Sequence, residues 1–159
     1  MADLSEVKND MQRGIVARLR TLLLVLDRQD RLETGEAFTG WLEAEANSRR
    51  ISDHAREMLL RAMRVASDPV NYAVLAGLDL MEPVAILELM ESTGLSRVAV
   101  SERVNDMVQT GLAIREMVND EVRGTDLTRG ICSFIESAAD AAGDELATEL
   151  ADLATTGSR

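Results

Sequence analysis

Polar side chains recur along residues 96–105 at the spacing of one helix face. Arg97, Ser101 and Asn105 are four residues apart, and residues at that interval lie one above another on a helix. Guanidinium, hydroxyl and amide groups in such a row can bond to the base edges and phosphates of nucleic acid. The chemistry that this stretch indicates is molecular recognition.

The candidate recognition residues lie on this helix and on the polypeptide that follows it. Arg97 is expected to read a base, with guanine as its target, while Ser101 and Asn105 can contact bases or phosphates. Glu102 can accept a hydrogen bond from cytosine, and its charge repels phosphate, which favours selectivity over affinity. The full set expected at the interface is Ser96, Arg97, Ala99, Ser101, Glu102, Arg103, Asn105, Arg115 and Arg123.

Arg103, Arg115 and Arg123 each have a structural interpretation beside the functional one. Arg103 reaches phosphate in the functional interpretation, and Arg123 enters or covers a minor groove. In the structural one, all three pair with nearby carboxylates on a solvated surface. Those carboxylates would be Asp106 or Glu102 for Arg103, and Glu116 and Glu121 for Arg115 and Arg123.

The elements that must position these residues are indicated by local signals. Residues 85–93 have helical apolar spacing, Gly94 can end that helix in the left-handed conformation, and Ser96 can cap the next one. The second helix is predicted over Ser96 to Thr110, with an apolar face of Val100, Val104, Met107 and Val108. Two helices joined by a glycine-containing turn are typical of a helix-turn-helix unit.

A β-hairpin is predicted directly after the second helix. Residues 114–118 have strand character, residues 119–120 form a turn, and residues 122–127 return as a second strand. A hairpin of this size matches the β-wing that accompanies a recognition helix.

The sequence offers no catalytic or metal-binding constellation. It contains no nucleophile–base pair and no glycine-rich phosphate loop, so an enzyme is not expected, and neither is a cofactor. His54 is the only histidine and has no ligand partners at metal spacing. Cys132 is the only cysteine, which fits a reducing cytoplasm, and it is either a small core residue or a redox sensor.

The charge distribution raises a second functional hypothesis. The chain of 159 residues has a formal net charge of −11, and 16 of its 17 basic residues are arginine. Residues 67–136 hold 12 acidic and five basic side chains, although phosphate binding depends on basic ones. The alternative to a DNA-binding protein is therefore an acidic protein-interaction adaptor that does not bind DNA.

Long helices are predicted on both sides of the helix-turn-helix unit. The first covers Leu4 to about Asp27, and its run Leu22–Leu26 is apolar all round, which indicates a dimer interface or a central core helix. A polar connection over Asp30–Gly35 follows. Further helices are predicted over Glu36–Asn47 with Trp41 as a packing anchor, from a cap at Ser52 or Asp53 to Ala66, from Asp68-Pro69 onwards, and from Thr128 to about Leu153.

From Ala66 onwards the chain resembles the ArsR and MarR families of bacterial winged-helix repressors. The segment GLSRVAVSERVNDMVQTGL is similar to the recognition segment of the ArsR family. Asp126-Leu127-Thr128 followed by Gly130 is similar to the junction between wing and helix in MarR proteins. The paired cysteines or histidines of metal-sensing members are absent, so no metal site is expected.

The resemblance implies a mainly α fold, with a winged helix-turn-helix and a small β-wing flanked by long terminal helices. The expected organisation is a helical dimerisation region over 1–66, the winged helix-turn-helix over 67–130, and a dimerisation helix with tail over 131–159. It implies a cytoplasmic homodimer, joined through Leu4–Asp27 and Thr128–Leu153, that regulates transcription on a pseudo-palindrome in double-stranded DNA. A small-molecule effector, bound between terminal helices and winged helix, is implied by the families alone.

Overall fold

A computed structural model describes residues 3–33 and 50–156, with side chains for residues 3–22 and 50–151. The described residues are mainly helical, with a small antiparallel sheet. The predicted helix over 36–47 with Trp41, the side chains of Leu23–Leu26 and the last three residues lie outside the described part. In chain order the elements are α1 (Leu4–Glu33), α2 (Arg50–Ala66), α3 (Pro69–Ala76), β1 (Val84–Ala85), α4 (Ile86–Thr93), α5 (Arg97–Gln109), β2 (Ala113–Glu116), β3 (Glu121–Gly124) and α6 (Asp126–Thr156).

Several predicted boundaries are wrong, among them the end of the first hairpin strand, which is Glu116 and not residue 118. Helix α1 continues to Glu33 through the predicted polar connection, because Arg, Gln, Leu and Glu are good helix formers and residues 27–34 contain no glycine or proline. Helix α2 begins at Arg50, so Ser52 and Asp53 lie within it. Strand β3 ends at Gly124 and helix α6 starts at Asp126, where the Thr125 hydroxyl accepts a hydrogen bond from the backbone nitrogen of Thr128.

The signals for caps and turns in the middle of the chain are confirmed. The Asp68 carboxylate accepts hydrogen bonds from the backbone nitrogens of Val70 and Asn71, with Pro69 in the first turn. Gly94 ends α4 with φ 68°, and the Ser96 hydroxyl caps α5 by accepting from the nitrogen of Ala99 at 3.3 Å. Only short-range geometry is needed for these features, so the sequence suffices to predict them.

The sheet has the strand order β1-β3-β2, and both pairings are antiparallel. Arg115 on β2 is opposite Val122 on β3, and Ile114 is opposite Arg123. Because neighbouring residues of a strand point to opposite faces, Arg115 and Arg123 lie on different sides of the hairpin. Its turn ends at Asp120, whose φ of 53° places a non-glycine residue in the left-handed region.

The core lies among α2, α3, α4, α5 and the sheet, with further residues from α1 and from the first turns of α6. Val100, Val104 and Met107 are at most 1% exposed, which confirms the predicted inner face of α5. The same cluster includes Ala62, Ala66, Val74, Leu75, Ile86, Leu89, Leu112, Val122, Leu127 and Ile131. With few aromatic residues available, aliphatic side chains and Met fill this interior.

Helices α1 and α6 cross at two glycines within one chain. A Cβ on Gly14 would lie 2.4 Å from the backbone nitrogen of Leu127, and one on Gly130 would lie 2.7 Å from that of Met11. Gly14 of α1 lies against Leu127 of α6, whereas the earlier residue Met11 lies against the later residue Gly130, so the two helices are antiparallel. The buried Asp10 carboxylate joins them by accepting from Arg129 Nε at 2.7 Å and Nη2 at 3.0 Å.

The C-terminal part of α6 extends past this packing. From residue 138 to residue 151 every side chain is exposed, including Leu146 at 55% and Leu150 at 57%. None of the helices in the described ranges has the length and apolarity needed to cross a bilayer.

Candidate nucleic-acid interface

Helix α5 and strand β2 are joined by one arginine. Arg115 extends from β2 towards α5, where it donates to Asn105 Oδ1 at 3.3 Å and to Ser101 Oγ at 3.5 Å. Its side chain is only 14% exposed, so its stem fills the space between the two elements. This contact brings together residues of the helix and the hairpin that are ten or more positions apart in the sequence.

Asp120 completes the junction with two further ion pairs. Its Oδ1 accepts from Arg115 Nη2 at 2.6 Å, and its Oδ2 accepts from Arg97 Nη2 at 2.6 Å. Hydrogen bonds from Arg115, together with those from Arg97, hold the pKa of this carboxyl below its ordinary value of 3.8. The backbone carbonyl of Asp120 also accepts from the nitrogen of Ile86, which ties the turn to the start of α4.

Asp120 is therefore the residue that connects the second helix, the hairpin and the first helix of the pair. The sequence indicated only a turn at this position. A signal was present for one of the two pairs, since an aspartate in the turn that follows a strand with an arginine is placed to pair with it. Which arginines it pairs with depended on the fold, because Arg97 is 23 residues away.

The hairpin arginines do not have the partners suggested by the sequence. Arg115 pairs with Asp120, whereas Glu116 and Glu121 were the expected carboxylates. Arg123 faces α1, and its Nε is buried without a hydrogen-bond partner among the described residues. It lines a cavity of about 550 Å³ together with Arg18 and Thr21, so the structure does not bring it to the Arg97–Arg115 group.

Arg103 points back towards the core of the fold. Its Nη1 donates to Asp68 Oδ1 at 2.8 Å and to Asn71 Oδ1 at 2.7 Å, so the expected pairing with Asp106 or Glu102 is wrong. The buried Asn71 amide in turn donates to the carbonyl of Val65 at 2.9 Å. Backbone hydrogen bonding to Asn71, with a further contribution from Arg103, lowers the pKa of Asp68.

The remaining candidate residues line the outer surface of α5. Ser96, Glu102 and Asn105 are exposed, Ala99 and Ser101 are half-buried, and the side chain of Arg97 is 69% exposed. Arg97, Ser101, Asn105 and Arg115 therefore form one continuous polar surface, the α5–hairpin face. Apolar side chains of α5 and of the hairpin turn are also exposed, namely Val98, Met117 and Val118.

Two other features of the described residues bear on the expected chemistry. Cys132 is half-buried, and burial, with a smaller effect of Glu136, raises the pKa of its thiol to about 11. A thiol with so little thiolate character fits a packing residue better than a redox sensor. Within the described ranges, no group of three His, Cys, Asp or Glu side chains is arranged to hold a metal ion.

Comparison with known proteins adds no relative to these observations. No protein family, no curated protein and no solved structure matches the chain.

Proposed function

We propose that this chain is a winged helix-turn-helix regulator of transcription, most simply a repressor, that binds DNA in a sequence-specific manner. The observation that carries the proposal is the α5–hairpin face. A helix begins after a glycine turn, a hairpin returns beside it, and Arg115 ties the two together. Helix-turn-helix proteins use the same arrangement to place a helix in the major groove.

In this mechanism α5 enters the major groove with its N-terminal end towards the base edges. Arg97 is in the first turn of α5 and is 69% exposed, so it can reach guanine N7 and O6. Ser101 and Asn105 lie one and two turns further along and are the next candidates for base or phosphate contacts. Residues of the hairpin contact the backbone beside the groove.

A homodimer gives this mechanism its second half-site. In the described part of the chain, helix α6 has an exposed stripe of Ala138, Ala142, Leu146 and Leu150, and a helix with such a face is stabilised by a partner helix. Two copies joined in this way would present two α5 helices to half-sites about 10 bp apart, so the site is a pseudo-palindrome. A cytoplasmic location is part of the same proposal.

The test is selection of bound fragments from a randomised duplex pool at low salt, with Arg97→Ala as the control. We expect a palindromic motif that Arg97→Ala fails to enrich, with a loss of about 1–3 kcal/mol on the selected site. Equal enrichment by both proteins would refute the assignment of α5 as the reading helix. No enrichment by a folded, dimeric wild-type protein would refute DNA binding.

A second candidate function is favoured by the pairing of charges at this face. Arg97 and Arg115 both contact the carboxylate of Asp120 in the same chain, while Val98 and Val118 are 68% and 96% exposed. An acidic adaptor that binds a basic protein partner would use such a surface. Recovery of one stoichiometric protein from a native lysate, without enriched DNA, would favour this function.

A further inference from the structure

We infer that Asp120 acts as an internal competitor of phosphate, which lowers the affinity of the α5–hairpin face for DNA of any sequence and so raises its selectivity. This inference rests on the proposed DNA binding and concerns the same site. It is carried by one geometric fact. A single carboxylate accepts from both arginines of the face, at 2.6 Å each.

The first step in the argument concerns what the two arginines can offer to a duplex. Non-specific affinity arises from Lys and Arg side chains that neutralise phosphates and release counterions. Arg97 and Arg115 are already hydrogen-bonded to a carboxylate, so a phosphate must displace Asp120 before it gains either contact. A phosphate in random sequence therefore competes with an existing ion pair.

The second step concerns why the operator would be less affected. Base contacts made by Arg97 and by the other polar groups of α5 arise only on the correct sequence. These contacts compensate for the loss of the Asp120 pairs, whereas phosphate contacts alone do so poorly. The carboxylate therefore weakens binding to random DNA more than binding to the operator.

The third step is that Asp120 is held in place independently of its side chain. Its backbone is at φ 53° and its carbonyl accepts from Ile86, so the turn is fixed by the main chain. Asn tolerates the left-handed region as well as Asp does, and Gly adopts it freely. Asp120→Asn and Asp120→Gly therefore remove the charge while keeping the turn.

The experiment measures the dissociation constants of the wild-type protein and both Asp120 variants for the selected operator and for a scrambled duplex, over a series of salt concentrations. Asp106→Asn is the matched control. It removes one negative charge from Asp106, which is exposed on helix α5 beside Asn105. Asp106 has no ion pair among the described residues. Any general effect of net charge is common to all variants.

We expect Asp120→Asn to bind the scrambled duplex about threefold to tenfold more tightly than Asp106→Asn does, given the strength of exposed ion pairs. The slope of log K against log salt should steepen by about 0.9 for each arginine released, and the ratio of the two affinities should fall. Asp120→Gly should behave in the same way. Thermal unfolding of each variant checks that the fold is intact.

Three other results would overturn the inference, and they differ from one another. If Asp120→Asn and Asp106→Asn behave alike, the ion pairs do not restrain the arginines. If both Asp120 variants bind both duplexes more weakly, Asp120 positions the arginines for DNA. If no form of the protein binds any duplex at low salt, the proposed function fails together with this inference.

Discussion

The crossing of α1 and α6 predicts an unusual response to a small substitution. Gly14 lies within α1, and in an exposed helix a change from Gly to Ala is worth up to about 1 kcal/mol of stabilisation. At Gly14 the new Cβ would lie 2.4 Å, 2.5 Å and 2.6 Å from the N, Cβ and Cα atoms of Leu127. Two of these three atoms are backbone, so the helices must separate to admit the methyl group.

The magnitude follows from these two opposing effects. Overpacking a well-packed site by one carbon costs about 1–3 kcal/mol. We expect a cost at the upper end of this range, because the backbone atoms of Leu127 cannot move aside as a flexible side chain can. After the gain in helix propensity, Gly14→Ala should lower the free energy of unfolding by about 2 kcal/mol. For a protein of this size the melting temperature should fall by about 4–8 °C.

The matched control is the same substitution at Gly143 on α6. Among the described residues no atom lies within 4 Å of a Cβ built there, so only the gain in helix propensity remains. Urea unfolding followed by circular dichroism at 222 nm, at one protein concentration, compares the two variants with the wild type. If Gly14→Ala is as stable as Gly143→Ala, the helices do not approach as closely as described.

Two further predictions use the titratable groups. The pKa values of Asp68 and Asp120 are lowered in the folded protein, so both stabilise the fold above the ordinary value of 3.8, and this stabilisation is lost as the pH falls through the folded pKa values. Acid titration of the Asp120→Asn variant should therefore show a shallower loss of stability below about pH 3.8 than the wild type. The Cys132 thiol, with a pKa of about 11, should react with a disulfide reagent at pH 8 far more slowly in the folded protein than in urea. Equal rates would contradict its burial.

The middle of the chain was predictable because its signals are local. Gly94, Ser96 and the Asp68-Pro69 pair act on backbone groups within three or four residues, and the structure confirms each of them. The inner face of α5 was equally clear, since Val100, Val104 and Met107 follow the period of the helix. The hairpin was predicted at the right place in the chain, but its first strand ends at Glu116 and not at residue 118, and the second strand was extended too far into α6.

The partners of the charged residues could not be predicted in this way. Arg103 bonds to Asp68 and Asn71, which are more than 30 residues away, although nearer carboxylates were available at helical spacing. Short-range pairs on an exposed helix are weak, so a partner supplied by another element can easily replace them. The same holds for Arg97, whose partner in the hairpin was not considered from the sequence.

The sequence alone thus determined where α3 and α5 begin, where α4 ends and which face of α5 is apolar, because those properties depend on neighbouring residues along the chain. The tertiary structure alone decided that Asp120 joins Arg97 to Arg115, that Arg123 faces α1, and that Gly14 and Gly130 mark a helix crossing. Each of these depends on atoms brought together from distant elements. Whether a residue is paired, buried or exposed at the α5–hairpin face is a property of that packing.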